Sequence, residues 1–140
     1  MEVGEARERL AGVRVARLAT VDATGRPHIV PICFALEADT IYNAVDHKPK
    51  RTTQLRRLSN VAANPCVAVL ADHYEDGDWA ALWWVRADGR GRVLDRDSRE
   101  ARRAVELLRD RYAPYRDSPP EGPVLAVDVD RWTGWRGDRG

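Results

Sequence analysis

The stretch V-R-V-A-R-L-A-T-V-D-A-T-G-R-P-H-I-V-P-I-C-F, residues 13–34, decides the fold. Residues 13–20 carry β-branched and alternating apolar side chains, the period-two pattern of a half-buried strand. D-A-T-G-R-P then supplies a turn around Gly25 and Pro27. H-I-V-P-I-C-F reads as the returning strand, so the two form a hairpin. Pro31 has no N–H to give a neighbouring strand, which argues for an edge, a bulge or a place where backbone N–H groups are used elsewhere.

Short runs of the same kind recur outward from the hairpin. I-Y-N-A-V (41–45), V-A-V-L-A-D (67–72) and W-A-A-L-W-W-V-R (79–86) read as strands. So do G-R-V-L-D (91–95), after a turn at Asp88 and Gly89, and V-L-A-V-D-V-D (124–130). Three segments carry helical spacing instead. Residues 2–11 place Val3, Ala6 and Leu10 on one face, and a second helix begins just past Pro49 and ends at A-A-N-P (62–65). Residues 98–112 put Ala101, Ala104, Val105, Leu108 and Tyr112 on a common face, and Asp97 with Glu100 has the spacing of an N-terminal capping pair. The proline-rich run 113–123 reads as a loop. Short strands with two or three helices predict an α+β domain, mainly antiparallel β and barrel-like. The 140 residues suit a single domain, 1–140.

Composition narrows the function classes. A net charge of +1 gives no global case for a nucleic-acid or membrane-surface protein. The longest apolar runs are too short to span a bilayer, and the charged N-terminus lacks a signal-peptide core. Cys33 and Cys66 form no C-x-x-C pair, so the chain reads as cytoplasmic with reduced thiols. G-R-G-R-V-L after Asp88 lacks the third glycine of a dinucleotide loop, and there is no phosphate loop of the G-x-x-x-x-G-K-[ST] type. D-H-Y-E-D-G-D (72–78) fails as a calcium loop, because Tyr74 and Trp83 fall where ligands are needed. The three histidines are far apart in sequence, so no metal site and no catalytic residue is expected. Any redox chemistry would be carried by a bound cofactor.

One segment stands out. Lys48 and Lys50 are the only lysines among 23 Lys and Arg residues, and they flank Pro49 just before a helix. A helix start offers unpaired N–H groups and partial positive charge. With Lys48, Lys50, Arg51 and the Thr52 hydroxyl it makes a site suited to phosphate. A solvated basic helix start, or a patch for nucleic acid, would show the same residues. Asp46, Asp72 and Glu75 oppose a continuous basic stripe.

The succession A-T-V-D-A-T-G-R-P-H-I-V-P (19–31), I-Y-N-A-V-D-H-K-P-K-R-T-T-Q-L (41–55), N-P-C-V-A-V-L (64–70) and W-W-V-R-A-D-G-R-G-R-V (83–93) resembles the pyridoxamine 5′-phosphate oxidase-like family of flavin-binding split β-barrels. The tail D-R-W-T-G-W-R-G (130–137) is most similar to its deazaflavin (coenzyme F420)-dependent oxidoreductases. The resemblance implies a cytoplasmic homodimer with cofactor sites at the subunit interface, and a small-molecule substrate. It assigns the phosphate to Lys48, Lys50, Arg51 and Thr52. It sets Val30, Pro31, Ile32, Asn43, Ala44 and Val45 on the strands that border the tricyclic ring. F420 and FMN share a ring and a ribityl phosphate, so FMN is the alternative cofactor. Arg56 or Arg57 would suit the longer anionic tail of F420. Trp79 and Trp83, on one face by alternation, are candidates to line the cleft, with barrel packing as their other reading.

Overall fold

The computed structural model describes residues 1–45 and 51–138, with the backbone only for 51–55. The elements run α1 (Val3–Gly12), β1 (Ala16–Val21), β2 (Pro27–Ile32), β3 (Ala35–Glu37), β4 (Thr40–Ala44) and α2 (Arg51–Ala63). They continue with β5 (Cys66–His73), a single 3-10 turn (Trp79–Ala81), β6 (Trp83–Leu94), α3 (Arg99–Arg111), α4 (Ala113–Asp117) and β7 (Val124–Arg136). The strands form one antiparallel sheet in the order β2-β1-β5-β6-β7-β4-β3.

The hairpin closes as its residues dictate. The Asp22 carboxylate accepts from the Thr24 and Arg26 amides at 2.9 Å each, and Gly25 takes a φ of 88° that costs a glycine nothing. β2 is an edge strand, which is where Pro31 can sit without breaking a ladder.

Alternation sends one face of every strand inward. Leu18, Val30, Ile32, Ile41, Val69, Val85, Leu125 and Val127 meet in a single core, together with Ala6 and Leu10 of α1 and Val61 of α2. Side chains from strands at opposite ends of the order share this core, so the sheet curls into a split barrel with α1 and α2 packed on its interior side. α3 lies on the other face. Its Ala101, Ala104 and Val105 pack with Tyr42, Val124 and Ala126, and its Leu108 with Ala35 and Ala44.

Three local expectations are corrected. The Asp88–Gly89 turn is a bulge inside one continuous strand of 12 residues, so 79–86 and 91–95 are not separate strands. A Cβ on Gly89 would stand 2.3 Å from the Asp128 carbonyl oxygen, so close backbone approach, not reversal, selects the glycine. The N-cap of α3 is Ser98, whose hydroxyl accepts from the Ala101 amide at 3.2 Å, in place of the Asp97–Glu100 pair. The run 113–123 is not all loop, because Ala113–Asp117 makes a short helix with proline in its first turn.

Candidate functional site

The residue just past β2, the end of β4 and the middle of α2 are tied together by a polar link. Asn43 donates through Nδ2 to the Cys33 carbonyl oxygen at 3.0 Å, joining β4 to the residue just past β2. The Arg57 Nη1 donates to Asn43 Oδ1 at 2.6 Å, joining both to α2. Burial pulls the Arg57 guanidinium below its ordinary pKa, while the Tyr115 phenol on α4 works in the opposite direction. Burial also pushes the Cys33 thiol up, opposed by the charges of Arg14 and Arg111. Cys33 therefore stays a thiol rather than a nucleophilic thiolate.

The residues expected to border a ring separate into two kinds. Val30, Ile32, Asn43, Ala44 and Val45 are all buried, so their side chains are committed to packing or to the Asn43 link. What they can offer a ligand is main chain. Pro31 is exposed on the edge strand. Lys48 and Lys50 lie outside the described residues. Arg51 and Thr52 open α2, and its helical backbone presents N–H groups there. Arg56 is exposed, whereas Arg57 is buried against Asn43 and is no free surface cation for an anionic tail.

The tryptophans also part company. Trp79 is two-thirds exposed and belongs to the 3-10 turn, so strand alternation does not relate it to Trp83. Trp83 packs against the core, with the Arg9 guanidinium 5.2 Å from its ring centre and His73 stacked at 6.4 Å. Its neighbour Trp84 faces the other way and lines a shallow groove of about 600 Å³ on the outer face of β2-β1-β5-β6. Ala19, Ile29, Ala68 and Leu70 supply the apolar part of that groove, and Arg17, Asp72 and Arg86 the charged part. Ile29 is 66% exposed, a large value for an isoleucine on a sheet face.

Alternation sets Trp84 on the face opposite Trp83, one face for the core and the other for a cleft or dimer interface, but sequence reasoning did not single out the rest of this groove or the Arg57–Asn43 link. Ile29, Leu70 and Trp84 sit at outward positions of their strands, and their apolar character there was the available signal. Nothing in local sequence pairs Arg57 with Asn43.

No helix among the described residues is long and apolar enough to cross a membrane. No match was found among curated proteins. Solved structures of the same fold include a FAD-binding protein from Mesorhizobium loti, 21% identical, covering 96% of this chain and 94% of that one with a TM-score of 0.71. The FAD-binding protein of Mycobacterium smegmatis is 19% identical over 98% and 97%, with a TM-score of 0.67. HutZ, the heme storage protein of Vibrio cholerae, is 18% identical over 96% and 94%, with a TM-score of 0.73. The family model for pyridoxamine 5′-phosphate oxidase matches residues 3–136, and the chain belongs to the pyridoxamine 5′-phosphate oxidase family.

Proposed function

We propose that this chain is a cytoplasmic oxidoreductase that binds coenzyme F420, with FMN as the alternative, and transfers a hydride to a small organic acceptor. The carrying observation is the Asn43–Cys33 hydrogen bond, which joins the end of β4 to the residue just past β2, with Arg57 of α2 on the other side of the same amide. Lys48 and Lys50 fall in the sequence between β4 and α2, next to the N-terminus of that helix. The ligand groups fit the donors present. A phosphate takes N–H groups and cations at the helix start, and the polar edge of a tricyclic ring takes main-chain groups of Ile32–Cys33 and Asn43–Val45. The FAD-binding proteins of the same fold support a flavin-type ring.

The bound ring supplies the hydride chemistry. The residues of this chain hold the phosphate at the α2 start through Lys48, Lys50, Arg51 and Thr52. They border one side of the ring with the backbone of Val30, Pro31, Ile32, Asn43, Ala44 and Val45, and Trp79 flanks the cleft from the exposed 3-10 turn. Trp83 contributes through packing. The apolar groove containing Ile29 and Trp84 is where a second copy of the chain sits in a homodimer, since an exposed apolar strip on a sheet face marks an interaction surface.

Titration of the purified chain with F420 and with FMN, followed by fluorescence, tests this reading. Preference for F420 supports it, and tight FMN binding with a yellow protein on purification moves it to an FMN flavoprotein. Tight binding without reoxidation by any acceptor makes the chain a carrier or sensor. Lys50→Ala weakens binding without unfolding the chain, and an unchanged affinity rejects the phosphate assignment.

A further inference from the structure

Arg57 is an expensive residue for its position. It is 8% exposed, its one hydrogen bond to a described residue goes to the neutral Asn43 side chain, and its buried Nε has no acceptor. No carboxylate among the described residues pairs with it. Among the described residues it is held by an amide and not by an acid, a poor way to gain stability, and an apolar side chain of similar volume commonly serves the fold as well or better.

What the guanidinium does supply is direction. Arginine can only donate, so Asn43 must turn its oxygen toward Arg57. The Asn43 NH2 group is then forced the other way, onto the Cys33 carbonyl oxygen 3.0 Å away. With an apolar residue at 57, the buried Asn43 oxygen would lose its donor, and only the carbonyl acceptors on its NH2 side would still orient the amide. A buried oxygen left without a donor favours rearrangement of the side chain, which loosens the link between β4 and the end of β2. Asn43 is 4% exposed, so water does not compensate freely there.

We propose that Arg57 is a positioning residue: by fixing the Asn43 amide it sets the spacing between the Ile32–Cys33 and Asn43–Val45 backbone. The ligand-related half of this inference rests on the reading above, in which those two segments border a tricyclic ring. Arg57 touches neither the ring nor the reacting atoms, and its effect reaches them through Asn43 and Cys33. A buried cation kept at some cost to stability beside such a site is the pattern expected where geometry serves binding.

The test uses the full chain and Arg57→Met. Without ligand, the melting temperature stays within about 5 °C of wild type. Hydrogen exchange at the Ala44 and Val45 amides rises about tenfold or more, while Val69 and Val85 in the sheet interior keep their protection. Affinity for the cofactor that wild type binds falls about tenfold. Arg57→Lys, which also only donates, recovers most of both effects. Unchanged exchange at Ala44 and Val45 overturns the proposal, as does wild-type affinity in Arg57→Met. A variant that fails to fold also overturns it, because Arg57 is then a structural residue. A wild type that binds neither cofactor defeats the functional reading instead, and the exchange pattern still decides whether Arg57 holds the two segments.

Discussion

The outer face of the sheet has two halves built from the same kind of residue and treated in opposite ways. On β3, β4 and β7, Ala35, Tyr42, Ala44, Val124 and Ala126 lie buried beneath α3. On β2, β1, β5 and β6, Ala19, Ile29, Ala68, Leu70 and Trp84 line an open groove. Small and branched apolar residues occupy outward positions in both. The difference lies in what the chain provides as a cover. α3 carries a full apolar stripe and is pinned by polar contacts at its edges, with Glu100 accepting from both terminal nitrogens of Arg92 at 2.9 Å and Glu37 accepting from Arg103 at 2.7 Å. None of the described elements covers the other half in the same way. Alternation thus identifies a sheet that is apolar on both faces, and the helix inventory shows which half the chain covers itself.

The two halves respond oppositely to the same kind of substitution. Leu108 is fully buried under the covered half, so Leu108→Ala costs about 2–5 kcal/mol in denaturant unfolding. A cost below about 1 kcal/mol would mean that α3 is a loose lid. Ile29→Glu on the open half leaves monomer stability within about 0.5 kcal/mol. In the proposed homodimer it raises the dissociation constant by about tenfold or more, read by sedimentation equilibrium. If Ile29→Glu leaves self-association untouched, the groove is not where the second copy docks.

The covered half was the more legible of the two. The face Ala101, Ala104, Val105, Leu108 and Tyr112 follows directly from helical spacing, and all five are buried. The first helix was legible as well, though Val3 of its expected apolar face is 49% exposed while Ala6 and Leu10 are buried. Gly89 misled because a turn and a close backbone approach both select glycine, and only the partner strand's Asp128 tells them apart. Trp79 misled because the Asp78 side chain, accepting from the Ala80 amide, starts a 3-10 turn where alternation suggested a strand. At the candidate site the strand ends and the helix start were readable, since proline and a polar helical run mark them. The Arg57–Asn43–Cys33 link was not, because it joins residues 14 and 10 positions apart through side chains that local pattern treats as ordinary polar ones. The groove was hidden for a different reason. An outward apolar residue looks the same in sequence whether a helix of its own chain covers it or not.

The anchoring of α3 gives two smaller tests. Ser98 caps the helix through its hydroxyl, so Ser98→Ala costs about 1 kcal/mol, seen as a lower denaturation midpoint with an unchanged slope. A null result would show that the Ser98 cap is dispensable and that packing alone fixes where α3 begins.

The smallest effect, and the most specific to the covered half, depends on pH. Charge-assisted hydrogen bonds from Arg92 hold the carboxyls of Glu100 and Asp128 below their ordinary values of 4.5 and 3.8. Because the folded values lie below the unfolded ones, the pairing stabilises the fold in full at neutral pH. That contribution fades as pH drops below about 4.5 and is gone once both carboxyls protonate in the folded state. Arg92→Gln therefore lowers the melting temperature at pH 7 by a few degrees at most, since these side chains are 37–46% exposed and solvent screens them. The gap between variant and wild type narrows toward zero in acid, and it narrows with added salt as well. A gap of equal size at pH 7 and at about pH 3 would mean that Arg92 holds α3 by packing its aliphatic stem, not by its charge.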